Sequence, residues 1–113
     1  MRYETALDIH RRLEAAVGGD ADAQMLYSDL VSLAVEYARM RTDWQLADGK
    51  KRMNMDEART ITHNALIGAC NALARYLARQ EKDTSWRQDL TDDRREIGDF
   101  ACYLHAILGI AAR

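Results

Sequence analysis

Leu26, Leu30, Leu33, Tyr37, Met40 and Trp44 recur at alternating spacings of four and three, which places apolar side chains along one stripe of a helix. Val31, Ala34, Val35 and Ala38 widen the stripe. Asp22, Asp29, Ser32, Glu36, Arg39 and Asp43 fall on the other side and are expected to face water. The pattern predicts a helix over 21–46. Ahead of it, Ala6, Ile9, Leu13 and Ala16 mark a shorter helix over 2–17. Gly18-Gly19 closes that helix, because glycine accepts the left-handed residue at a helix end, and Asp20 or Asp22 caps the next.

A third helix is predicted over 55–82. At 100° per residue, the apolar and small side chains of 58–77 cover an arc of roughly 240°, wider than an ordinary surface stripe. This helix is therefore expected to be the most buried element. Asp48-Gly49 reads as the end of the second helix, Lys50-Lys51-Arg52 as an exposed basic turn, and Asn54 with Glu57 as a capping box. Glu57, Thr60, Asn64, Asn71, Arg75 and Lys82 form a narrow polar stripe expected to be solvated.

In the connector that follows, Ser85 and Gln88 have capping-box spacing and predict one helical turn carrying Trp86. Thr91, with Asp92 and Asp93 behind it, opens the last helix, 92–111. Its core face is Ile97, Phe100, Ala101, Leu104, Ile107, Leu108 and Ala111. Gly98, Cys102, His105 and Gly109 lie on the reverse. Interior glycines cost a helix about 1 kcal/mol each relative to alanine. Two on one row of small residues point to a close approach by another backbone, and the expected contact is a homodimer through this helix. No proline interrupts any of these patterns. The fold predicted is all-α: a single domain over 1–113, an up-down four-helix bundle with a shorter first helix.

The 113 residues suit one domain, and 48% hydrophobic with 30% charged residues is a globular composition. No apolar run approaches a bilayer span of roughly 18 residues, and Glu4 and Asp8 stand where a signal peptide needs an apolar core. Location in the cytoplasm, with no membrane partner, is the expectation. A net charge of −2 argues against nucleic acid as a partner. The basic residues nearest to such a role are Arg39, Arg41 and 50–52, but Asp20 and Asp22 would repel phosphate if the second helix were a recognition helix.

Candidate chemistry is sparse. His63 lies inside the apolar arc one turn after Arg59, so Arg59 and His63, with His105, could line a small-ligand pocket in which Arg59 clamps an anion. The competing reading is a core-edge histidine satisfied by one hydrogen bond. His63 and Cys70 are separated by about 10.5 Å of helix rise, too far to share a zinc ion with bonds near ~2.0–2.3 Å. No Glu-x-x-His pair supports a di-iron bundle. Helical nucleotide pyrophosphohydrolases hold magnesium with Glu-x-x-Glu on one helix and Glu-x-x-Asp on the next. Glu96 and Asp99 supply only the second half. No catalytic residue, metal or cofactor is predicted.

Arg59, His63-Asn64, Ile67, Asn71, Leu73, Arg75, Trp86 and Ile97-Gly98-Asp99-Phe100 together resemble a family of small bacterial proteins described only as a domain of unknown function. The resemblance covers roughly Val35 onward and implies a helical fold and a bacterial source. It brings no catalytic residue. The expected function is a non-enzymatic interaction or assembly module, homodimeric or bound to another protein. A ligand-binding or enzymatic bundle is the alternative, and a nucleic-acid-associated regulator comes third.

Overall fold

A computed structural model describes residues 1–109 of the chain, and no strand occurs among them. Among the described residues five helices form: α1 (Tyr3–Val17), α2 (Ala21–Leu46), α3 (Gly49–Arg79), α4 (Ser85–Asp89) and α5 (Arg94–Ile107). The all-helical class is as expected; five helices are found where the sequence predicts a four-helix up-down bundle with a Trp86 turn in its last connector. The Trp86 turn is a fifth helix, and a long α2–α3 hairpin dominates the architecture. Its two strands of helix run antiparallel, since the Tyr76 hydroxyl late in α3 donates to Asp20 at the start of α2, at 2.7 Å. The molecule measures 47 × 25 × 24 Å. Among the described residues no helix is long and apolar enough to cross a membrane. Ala111 of the predicted core face lies outside the described residues.

Residue-level capping explains the helix starts. Asp20 accepts from the backbone N–H of Asp22 and Ala23 and so caps α2. Asp93, not Thr91, caps α5 through Arg95 and Glu96. The start of α3 corrects the expected basic turn and the Asn54 cap. Asp48 accepts from the Lys51 N–H at 2.9 Å, so the helix begins at Gly49 and runs through 50–52 without a break. Arg52 donates to the Trp44 and Gln45 carbonyls in the last turn of α2. The Arg52 cation near the start of α3 thus serves the C-terminus of its neighbour.

Gly18, at φ 51°, closes α1 as expected. At the end of α3 the Lys82 N–H reaches the Leu77 carbonyl and the Glu81 N–H reaches Ala78, a Schellman closure with Glu81 as its left-handed residue at φ 57°. A side chain with a Cβ pays for that conformation. Glu81→Gly is therefore expected to stabilise the fold by about 1 kcal/mol, read as an upward shift of the urea midpoint; a downward shift would contradict the assignment.

The core gathers Ala6, Ile9 and Leu13 of α1, Leu30, Ala34 and Tyr37 of α2, Leu66, Cys70, Leu73 and Leu77 of α3, Trp86, Leu90, and Ile97, Phe100, Ala101 and Leu104 of α5. Every position of α2 expected to face water does so. The expectation that α3 would be the most buried helix fails. None of its residues before Thr62 is buried, and Ala58 and Ala65 are exposed although they sit within the predicted arc. Alanine satisfies a helix without needing cover, so small side chains widened the arc without adding much burial. The hub is α2, which packs against α1, α3 and α5.

Polar ties fasten the short elements to this frame. Arg12 of α1 bonds Ser85 at 2.9 Å and Asp89 at 2.5 Å. Arg87 of α4 donates to Asn71 at 2.9 Å and also reaches the Leu90 carbonyl and Asp92. Arg94 donates to Thr60 at 2.8 Å. The stripe on α3 that was expected to be solvated is therefore, at Thr60 and Asn71, the seat of α4 and α5. His10 and Glu14, spaced i,i+4, form a further tie: His10 Nε2 lies 2.5 Å from Glu14 and Nδ1 2.8 Å from the Tyr27 hydroxyl, which joins α1 to α2.

Two carboxylates carry an acid sensitivity. The Tyr76 hydroxyl and two backbone N–H groups hold Asp20 below its ordinary range. Burial opposes the ionisation of Asp99, but the Met1 ammonium at 2.8 Å and Arg41 at 2.7 Å outweigh it and lower Asp99 too. A carboxyl depressed in the native state stabilises the fold fully above its unfolded value, and that contribution drains away as pH falls through the native value. Thermal stability is expected to be flat from pH 7 to 5 and to drop below pH 4. Asp20→Asn, which keeps a cap but no charge, should soften that drop. An unchanged acid limb would contradict the roles given to these groups.

Candidate functional site: an open helical face and an arginine cleft

The small row of the last predicted helix is not a free surface along its length. Gly98 is buried, and a Cβ there would come within 2.9 Å of Arg41 Nη1. The close approach expected at this glycine is made by a side chain of the same molecule. Cys102 and His105 are half-buried and face α2, lining a groove of about 490 Å³ with Ala38, Arg39, Thr42 and Asp43. Gly109 is exposed, with φ 66°.

Arg59 and His63 also part company with His105. His63 is buried under Tyr37, with ring centroids 5.8 Å apart. Its Nε2 lies 3.2 Å from the Asp92 carbonyl and its Nδ1 3.3 Å from the Asn64 side-chain oxygen. This is the geometry of a histidine that ties α3 to the start of α5. Arg59 instead lines a cleft of about 250 Å³ with Tyr37, Arg41, Trp44, Gln45, Arg94 and Arg95, and His105 is not among them. Trp44 lines it too, and the guanidinium carbons of Arg52 and Arg59 each stand 4.3 Å from its ring centroid. Arg52 and Arg59 are two turns apart on α3, so the tight turn at Ala47-Asp48 is what brings both to the same indole. Burial pushes the Cys70 thiol up to about 12, so it stays protonated at neutral pH. No group of three or more His, Cys, Asp or Glu side chains converges among the described residues.

The second feature is the outer side of the α2–α3 hairpin. Ala58, Ile61, Ala65, Gly68 and Ala72 of α3 are spaced three, four, three and four, the repeat of a helix-pairing seam. Ile61 is 61% exposed, Ala58, Ala65 and Gly68 are exposed, and a Cβ at Gly68 would meet nothing. Beside this row runs a shallow groove lined by Leu26, Asp29, Ser32, Leu33, Ala69 and Ala72. At the hairpin tip Leu46 and Met53 are 82% and 76% exposed. Exposed alanines are common on helices, but a run of five small or apolar positions at pairing spacing, continuous with half-buried leucines, is an uncovered patch.

No family model, curated protein or solved structure matches this chain. The geometry of these two features carries the functional reading.

Proposed function

We propose that the chain is a non-enzymatic assembly module that forms a homodimer through the outer face of its α2–α3 hairpin. The observation that carries the reading is the seam of exposed Ala58, Ile61, Ala65 and Gly68, continued by half-buried Ala72 beside Leu26 and Leu33. The sequence reserves an apolar arc on α3 that one copy leaves half open, and a second copy would cover it. The seam spans about 21 Å of helix, and its small side chains allow two helix axes to approach to about 8 Å. A two-fold pairing sets the same patch against itself, so one row suffices for both partners. Gly98 lies under Arg41, and Cys102 and His105 line a groove with α2, which supports proposing the dimer contact on this face and not through the last helix. A bacterial cytoplasmic setting belongs to the same reading.

Sedimentation velocity over a concentration series tests it. The expected species is twice the 12.9 kDa chain mass, giving way to monomer on dilution. A single monomer boundary at every concentration up to about 1 mM would overturn the proposal, since such a Kd corresponds to only ~4 kcal/mol of association.

A further inference from the structure

We infer that the cleft between the end of α2, the first half of α3 and the start of α5 binds a small phosphate-bearing anion. Arg41, Arg59, Arg94 and Arg95 all line it, and among the described residues no carboxylate does, in a chain whose net charge is −2. Their counterions are few. Arg41 pairs with Asp99 at 2.7 Å, and the Met1 ammonium is shared between Asp99 and Glu96, so Arg41 is the one arginine of the four with a close carboxylate partner. Arg59 reaches Asp56 only at 3.4 Å. Arg94 rests on the neutral hydroxyl of Thr60. Arg95 forms no ion pair among the described residues. Like charges gathered this closely repel one another, and a bound polyanion relieves the repulsion.

A second observation points the same way. Trp44 Nε1–H and Arg59 Nε–H are buried and donate to nothing. Buried donors are nearly always satisfied. Arg12 Nε, Trp86 Nε1 and His105 Nε2 are also unpartnered, but Trp44 and Arg59 are the two that belong to residues lining this cleft, where a small shift of either side chain would offer its N–H to a bound acceptor. A carboxylate offers two oxygens and one charge. A phosphate group offers three terminal oxygens and up to two charges, which match several guanidinium forks together with the indole N–H. The donors are already positioned: Thr60 holds Arg94, Asp99 holds Arg41, and the Trp44 ring holds Arg59. The space of about 250 Å³ admits a diphosphate, or a phosphate with part of the group that bears it. The site stands apart from the hairpin seam and does not rest on the dimer.

The chain has two tryptophans, so the indole region of a ¹⁵N-resolved NMR spectrum contains a reporter in the cleft, Trp44, and an internal control, the fully buried Trp86. Titration with inorganic pyrophosphate at low ionic strength is expected to shift the Trp44 indole signal to saturation and leave Trp86 in place. Arg95→Gln, on an exposed side chain, and Arg59→Gln should each weaken binding by at least about tenfold, and Trp44→Phe, which keeps a ring and removes the donor, by several-fold. A sugar phosphate that binds as well identifies the phosphate group as the determinant; pyrophosphate binding alone identifies the free inorganic anion. No saturable shift, an equal shift with citrate at matched ionic strength, or unchanged binding by Arg95→Gln would overturn the inference. So would an oligonucleotide that binds the same site more tightly than either phosphate compound.

Discussion

Trp86→Ala is expected to remove about 3–5 kcal/mol of stability, the loss typical of truncating a buried aromatic side chain. A domain of this size has only about 5–15 kcal/mol to lose, so the variant should populate unfolded chain at moderate temperature. The reason lies in the helix that carries it. At five residues, α4 is far too short to hold itself helical and depends on its anchors. Trp86 and Leu90 are both fully buried, and Arg12, Arg87 and Asn71 hold the polar side of the segment. Without the indole, those hydrogen bonds must order a segment that no longer fills the core. Trp86→Phe should cost much less, because it keeps most of the packing and removes an indole N–H that has no acceptor. Urea unfolding followed by circular dichroism measures both. A Trp86→Ala loss below about 1 kcal/mol would show that α4 is peripheral.

The helical turn around Trp86 is readable in advance because its cap spacing and its apolar residue agree. The same holds for α2, where the four-three repeat, the acids on the far side and the Asp20 cap all point to one helix. The start of α3 misleads because two caps compete within seven residues. Asp48 accepts first, and Gly49, Lys50 and Lys51 offer no barrier to starting the helix there. The arc on α3 misleads for a different reason: alanine counts as apolar in a pattern yet contributes little burial, so periodicity assigns to one chain a face that the chain leaves open. The arginine cleft is hidden in sequence because its parts come from three elements. Arg59 is visible as a candidate, but its partners Arg41, Arg94 and Arg95 meet it only through the hairpin turn and the landing of α5 on α2. The one local signal is the seven-residue spacing of Arg52 and Arg59 beside a tryptophan just across the turn. The His10–Tyr27 tie is similarly long-range, foreshadowed only by Glu14 four residues after His10 on the buried edge of α1.

Ala65→Glu is expected to weaken self-association at least 100-fold, or about 2.7 kcal/mol. In a two-fold interface the substitution occurs twice, so two carboxylates lose water and face each other across a short distance. Inside one copy the same change is harmless. Ala65 is exposed, and glutamate is nearly as good a helix former as alanine, so helix content and melting behaviour of the monomer should not move. Gly98→Ala is the contrasting variant. Its Cβ presses only on the flexible end of Arg41, so the dimer should persist. If Gly98→Ala dissociated the dimer while Ala65→Glu left it intact, the contact would belong to α5 and not to the hairpin.

The most direct test of the account is an isotope-filtered NMR experiment on an equal mixture of labelled and unlabelled chains, which records contacts between copies and none within them. A dimer through the hairpin face gives intermolecular contacts from the methyl groups of Ile61, Ala65 and Ala72 to the same stretch of the other copy, with Leu26 and Leu33 at the margin. Intermolecular contacts confined to Cys102 and His105, or none at concentrations where a dimer should form, would contradict it.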